Sequence, residues 1–217
     1  MKIKKNGFTL AEALITLTIV GALAVLVLPG LIKDTTSRAM IALLQSTLKN
    51  LDDAIQNELV KTRATNIKDT VIYKDPEAFF KNLDYVKYSS DNSQFKKSDG
   101  TAVAYKSVNG TSITLSDMSE SVLLKNGVVI GIKNGDETSN RSHLFIDTNG
   151  TKEPNIGGVD YFILTLMHEN NKSTGDHLGD IGCGGASTDT DIATCKSAGT
   201  TCFCALERSG FDPKYME

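Results

Sequence analysis

The sequence predicts an α+β fold: a long N-terminal α-helix, apolar then amphipathic, packed on an antiparallel β-sheet, with a disulfide-stapled C-terminal loop region. Three observations predict it. Twenty consecutive residues, Ala13 to Ile32, carry no charged side chain. Apolar residues then recur at three- and four-residue steps from Met40 to Leu59. Beyond Gly100 the apolar period changes to two, and all four cysteines fall within the last 35 residues.

The first element is set by length and charge. A helix rises ~1.5 Å per residue and a bilayer core is ~30 Å thick, so the uncharged run is long enough to span one. The short basic stretch Met1–Asn6 leads it, and positive charge on that side holds the side in the cytoplasm. No small-residue cleavage site of the ordinary secretory kind precedes Lys33, which favours an anchor over a removed signal. Pro29 lacks an N–H and crowds the preceding turn, so the helix is expected to kink or loosen there.

The stripe Met40, Leu43, Leu44, Leu48, Leu51, Ile55 and Leu59, with Lys49, Asn50, Asp52, Asp53, Gln56 and Asn57 on the other face, predicts an amphipathic helix lying on a domain core. One helix from Phe8 to about Thr62 would be ~80 Å long. Residues 64–100 read as a mixed connector. Asp75-Pro76-Glu77 starts a short helical piece carrying Phe79, Phe80 and Leu83, and Asp91 to Gly100 is polar loop. Strands are expected at Val103–Tyr105, Ser112–Leu115, His143–Ile146 and Tyr161–Met167. The strongest hairpin signal is Ser121–Lys125, Asn126-Gly127, Val128–Lys133, where Asn-Gly suits a type I′ turn.

Charge is unevenly placed. Residues 1–33 hold four lysines against one glutamate, a net of +3; the whole chain is −3, so residues 34–217 carry −6. A mildly acidic remainder argues against a general nucleic-acid binder, which neutralises phosphates with basic patches. Cys183, Cys195, Cys202 and Cys204 behind a membrane-directed N-terminus read as two disulfides in an oxidising compartment. A Cys202–Cys204 bridge would close a very tight ring, so both are expected to pair with Cys183 and Cys195. Zinc is the weaker reading, because the spacing matches no paired C-x-x-C pattern. The Gly-, Ser-, Thr- and Asp-rich stretch 182–201 is too poor in large apolar residues to fold alone, which is where such staples are needed.

One residue breaks the apolar run from Phe8 to Ile32. Glu12 puts a carboxylate where a membrane helix tolerates one only for a reason. Lys4-Lys5-Asn6-Gly7 followed by Phe8-Thr9-Leu10-Ala11-Glu12 and a Leu/Ile/Val/Ala-rich helix resembles the class III leader of the type IV pilin family, which includes the pseudopilins of type II secretion. The resemblance covers residues 4–32. It implies cleavage after Gly7 by a prepilin peptidase, N-methylation of the new amine at Phe8, and a glutamate at the fifth mature position, here Glu12. Gly21 and Pro29 match positions where many pilins weaken the helix. In a staggered assembly the Glu12 carboxylate of one copy could meet the Phe8 amine of its neighbour, and a buried charge becomes tolerable once paired. Snorkelling of Glu12 to the interface is the structural alternative.

In the remainder, Asp147 and Asn149 with Asp160 place oxygen ligands on a loop between two strands, a possible calcium site of the kind some pseudopilins have. An EF-hand is excluded, since Gly158 stands where its glutamate would be and Lys152 where its glycine would be. The competing reading is a turn whose Asp and Asn cap its own backbone, and no other cofactor is expected. The histidines His143, His168 and His177 form no recognised motif, and no nucleophile elbow, H-E-x-x-H or Walker loop is present.

The sequence is therefore expected to comprise a leader (residues 1–7), a transmembrane and filament-core helix (8–33), an amphipathic spine (34–63) and a globular head (64–217). As the resemblance implies, it would be a non-enzymatic subunit of a type IV pilus or pseudopilus. It would sit in the inner membrane with its N-terminus cytoplasmic and its head outside. Its partners would be copies of itself, other pilins, the prepilin peptidase and the assembly platform. The alternative is a membrane-anchored extracellular binding domain that does not polymerise.

Overall fold

The computed structural model describes residues 9–115, 118–135, 139–170, 176–182 and 188–212. The chain divides into two units, residues 1–39 and 40–217. Helix α1 (Leu10–Thr62) begins in the first and ends in the second. Within the first unit its large apolar side chains are exposed among the described residues: Leu10, Leu17, Val25 and Leu26 are each more than 70% exposed. It is the one helix among the described residues long and apolar enough to cross a membrane. Helical backbone continues through Gly21 and Pro29.

The second unit is built on the other half of α1. Ile41, Leu44, Leu51, Ala54, Ile55 and Leu59 are buried there, close to the stripe expected from the sequence. Two short helices follow, α2 (Val71–Lys74) and α3 (Pro76–Phe80). Asp75 caps α3 by accepting from the Ala78 N–H at 3.1 Å, and Pro76 occupies the first turn, where its missing N–H costs nothing. Phe79 and Phe80 are driven into the core.

The main sheet has six antiparallel strands. They are β1 (Tyr85–Ser89), β4 (Glu120–Leu124), β5 (Val129–Lys133), β6 (Arg141–Asp147), β7 (Tyr161–Met167) and β8 (Ile181–Gly182), ordered β1-β4-β5-β6-β7-β8. A separate ribbon pairs β2 (Tyr105–Lys106) with β3 (Ser112–Ile113). Ile130, Ile132, Leu144, Ile146, Phe162, Leu164 and Leu166 join the α1 residues in one core. On the opposite face Val129, Phe145 and Tyr161 lie under Phe95, Val103, Tyr105 and Met118. Burial on both faces explains why β5 and β7 read as nearly continuous apolar runs. The fold is α+β, a long helix packed with an antiparallel sheet.

Four local expectations are corrected. At Asn126-Gly127 only the glycine has positive φ, +89°, and the Gly127 N–H donates to the Leu124 carbonyl at 3.0 Å. The connection is therefore a three-residue loop closed by a left-handed glycine, not a two-residue type I′ turn. Tyr85–Ser89 is a strand rather than connector; its register slips between Tyr85 and Lys87, which obscures the alternation. The expected strands at 103–105 and 112–115 shorten to the two-residue β2 and β3. Finally, much of the stretch read as C-terminal loop is helical, as α4 (Thr188–Ala198) and α5 (Cys202–Arg208). Tertiary burial overrides weak composition there: Cys195, Cys202, Phe203 and Leu206 enter the main core.

Candidate processing and assembly site

Helix α1 starts immediately after Thr9, and its first turn holds the single acid of the apolar run, Glu12. The Thr9 N–H and hydroxyl both donate to Glu12 Oε2, at 2.9 and 2.8 Å, and the Glu12 N–H donates back to Thr9 Oγ1 at 3.3 Å. This is a capping box, two orphan donors of the helix end satisfied reciprocally, with the carboxylate at the positive end of the helix dipole. Sequence reasoning missed Thr9 as a partner of Glu12, although the signal, Thr-x-x-Glu ahead of an apolar run, was present.

Further along, the polar atoms of the apolar half are satisfied within the helix. Thr16 Oγ1 donates to the Glu12 and Ala13 carbonyls at 3.0 and 2.9 Å, and Thr18 Oγ1 to the Leu14 carbonyl at 2.7 Å. Such back-bonding leaves these hydroxyls without need of water. Gly7 and Phe8, the residues expected to flank the cleavage point, lie outside the described residues.

Residues 2–28 match the family model of the prokaryotic N-terminal methylation motif. The chain carries a prepilin-type leader. The match is consistent with the type IV pilin and pseudopilin family, and the motif together with the long apolar helix supports membrane anchoring. No curated protein and no solved structure matches the chain.

The cysteines and the candidate calcium residues of this leader-bearing chain belong to its second unit. Cys195 and Cys202 form a disulfide with Cα atoms 4.6 Å apart, joining α4 to α5. Cys204 is buried and forms no disulfide within the described residues; burial pushes its thiol pKa up, which keeps it protonated. Cys183 lies outside the described residues. The same two helices are joined by an ion pair that the sequence did not announce, Asp191 with Arg208, the carboxylate being only 2% exposed. Of the histidines, His168 is fully buried, with Nε2 2.7 Å from Ser142 Oγ and Nδ1 3.2 Å from the Ser139 carbonyl. Burial, with Lys68 nearby, lowers its pKa, as befits a neutral structural imidazole.

Asp147, Asn149 and Asp160 do come together, at the end of β6 and the start of β7. Asp160 accepts from the Asn155 N–H at 2.8 Å, the Ile156 N–H at 2.6 Å and Asn149 Nδ2 at 3.1 Å. Asp147 accepts from the Tyr105 hydroxyl and, at 3.1 Å, from the Asn149 N–H. Calcium takes six to eight oxygen ligands. Here Asn149 turns its amide nitrogen, not its oxygen, toward Asp160. Among the described residues no group of three His, Cys, Asp or Glu side chains is placed to hold a metal.

Proposed function

We propose that this chain is a non-enzymatic structural subunit of a type IV pilus or of a type II secretion pseudopilus. It is cut after Gly7 by a prepilin peptidase, N-methylated at Phe8, and polymerised through its N-terminal helix with copies of itself or related subunits. The observation that carries the reading is the methylation motif over residues 2–28 continuous with a helix whose large apolar side chains are exposed among the described residues. In a monomer these side chains are compatible with lipid. In an assembly they would pack on the same helix of neighbouring copies. Glu12 supports the assembled form because cleavage creates a cationic amine one helical turn away. Between staggered copies, the amine of one and the carboxylate of the next neutralise each other in an apolar setting.

The head supplies the exposed surface of such a subunit. It would lie outside the inner membrane, since the basic residues ahead of the apolar run favour a cytoplasmic N-terminus. Mass spectrometry of the protein purified from its native membrane tests the reading. A chain beginning at methylated Phe8 is expected. A chain that retains Met1 and stays monomeric in the bilayer would replace this reading with a tethered binding domain.

A further inference from the structure

Within the second unit an open groove of about 580 Å³ lies between the buried half of α1, β8 and the end of α5. That volume is ordinary for a cleft that holds a ligand. Leu48, Met167, Ile181, Phe203 and Phe211 give it apolar walls, and the rings of Phe203 and Phe211 meet edge to face at 6.4 Å. Its charged lining is lopsided. Asp52 from α1, Asp176 and Asp180 from the segment before β8, and Glu207 from α5 stand against Lys49 alone, a net of −3.

The backbone around the groove adds two features. Strand β8 borders it and is the last of the sheet, with no ladder partner on its outer edge among the described residues. A Cβ added at Gly182 would meet nothing within 4 Å. An unpaired edge of this kind offers N–H and carbonyl groups to an extended chain. The other feature is Phe211. Helix α5 ends in a Schellman motif, in which the Phe211 N–H donates to the Leu206 carbonyl at 2.8 Å and the Gly210 N–H to the Glu207 carbonyl at 3.0 Å. Gly210, at φ +71°, supplies the left-handed residue that this cap requires. Phe211 takes φ +64° as well, although the cap needs no second left-handed residue and a bulky side chain is strained there. The strained turn keeps its ring beside Phe203 on the groove.

We propose that this groove docks an extended peptide segment of another protein, which sets a large apolar side chain against Phe203 and Phe211 and a lysine or arginine among the acids. Charge selects the partner. A lining of net −3 repels phosphates, which disfavours nucleic acid and anionic lipid. Lysine and arginine suit both kinds of wall, because their methylene stems lie along apolar surface while the charged head stays at the rim. A bare metal ion gains nothing from apolar walls, and no group of three acids, histidines or cysteines is placed to hold one among the described residues. The open edge of β8 favours a polypeptide over a small amine, since only a polypeptide brings a main chain to pair with it. The site stands apart from processing and polymerisation, because no leader residue enters it.

The test uses the full chain in phosphatidylcholine nanodiscs, whose zwitterionic surface does not gather cations, with carbon-13 at the isoleucine and methionine methyls. The probe is the end-blocked peptide Ala-Lys-Phe-Lys-Leu-Ala, with empty nanodiscs as the control. The Ile181 and Met167 methyls are expected to shift saturably with a Kd of about 0.1 mM, while Ile130 in the main core stays in place. Changing both lysines of the probe to glutamate, or its phenylalanine and leucine to serine, should each weaken binding about tenfold or more. Asp180→Asn with Glu207→Gln keeps the hydrogen-bond acceptors, and should weaken the lysine probe about fivefold and flatten its salt dependence. Phe211→Gly fits the left-handed turn without strain and should lose binding while the melting curve still shows a folded head. Should either variant fail to fold, the probe series on the native chain still decides. No methyl shift at about 5 mM probe overturns the proposal, as does equal binding of the lysine and glutamate probes. So does binding that appears only after residues 213–217 are removed, which would give the groove to those residues. Ile181 shifts that follow protein concentration without probe would give it to a second copy, and equally overturn it.

Discussion

Leu51→Ala and Leu23→Ala delete the same atoms from one helix and are expected to behave differently. Leu51 is 0% exposed and belongs to the main core, whereas Leu23 is 56% exposed and touches no core cluster. Truncating a fully buried leucine removes transfer free energy and leaves a cavity, together ~2–5 kcal/mol. A domain of this size has only ~5–15 kcal/mol of stability in total, and each kcal/mol moves Tm by ~2–4 °C. Leu51→Ala should therefore lower the melting temperature of the head by about 10 °C. Leu23→Ala should leave it within about 1 °C, because a residue outside the core changes stability by no more than ~0.5 kcal/mol. The assay is thermal unfolding in micelles followed by tyrosine circular dichroism, since the chain has six tyrosines and no tryptophan. Filament yield is the second readout, where Leu23→Ala is expected to register and Leu51→Ala to act only through stability. A Leu51→Ala head that melts within 2 °C of the native one, below the ~2 kcal/mol cavity cost, would refute the assignment of this half of α1 to the core.

Four further outcomes follow. Glu12→Ala should insert in the membrane yet assemble poorly, and Glu12→Gln separates the two roles of the side chain. A glutamine keeps the capping-box acceptor but not the charge, so filaments at native yield from Glu12→Gln would leave capping as the role of Glu12. Thr9→Val keeps shape and removes the hydroxyl; fraying of the first turn, read by hydrogen exchange at Leu10 to Ala13, is expected. Arg208→Met leaves the Asp191 carboxylate buried without its cation and should cost ~3 kcal/mol, less if water reaches the partly exposed site, read as denaturant midpoint. Replacing Cys195 and Cys202 by serine opens a short loop and should cost ~2 kcal/mol on the chain-entropy account, measured by melting with and without reductant.

Much of this was legible in the chain itself. An apolar run needs no partner to be recognised, and the period of Leu44, Leu51, Ile55 and Leu59 fixes which face of α1 is buried. Hence the helix, the membrane-length segment, the methylation motif and the antiparallel strands could all be read locally. What was misread depended on distant residues. β1 was hidden by the register slip between Tyr85 and Lys87. Helices α4 and α5 were hidden because their stability comes from burying Cys195, Cys202, Phe203 and Leu206, not from propensity.

Within the sites the division is similar. Glu12 was conspicuous because it is a charge among apolar residues, and its tie to Thr9 spans only three positions. In sequence Asp147 and Asp160 were open to two readings, a calcium loop or a turn capping its own backbone, because their types and spacing were visible while their donors were not. Tyr105 comes from another ribbon, and the N–H groups of Asn155 and Ile156 turn toward Asp160 only once the loop is closed. The sequence determined which segment is oily and which acid interrupts it, since hydropathy and helical period are properties of neighbouring residues. Tertiary structure alone decided which buried acids lie side by side and what faces them, because desolvation and hydrogen bonding are set by residues far away along the chain.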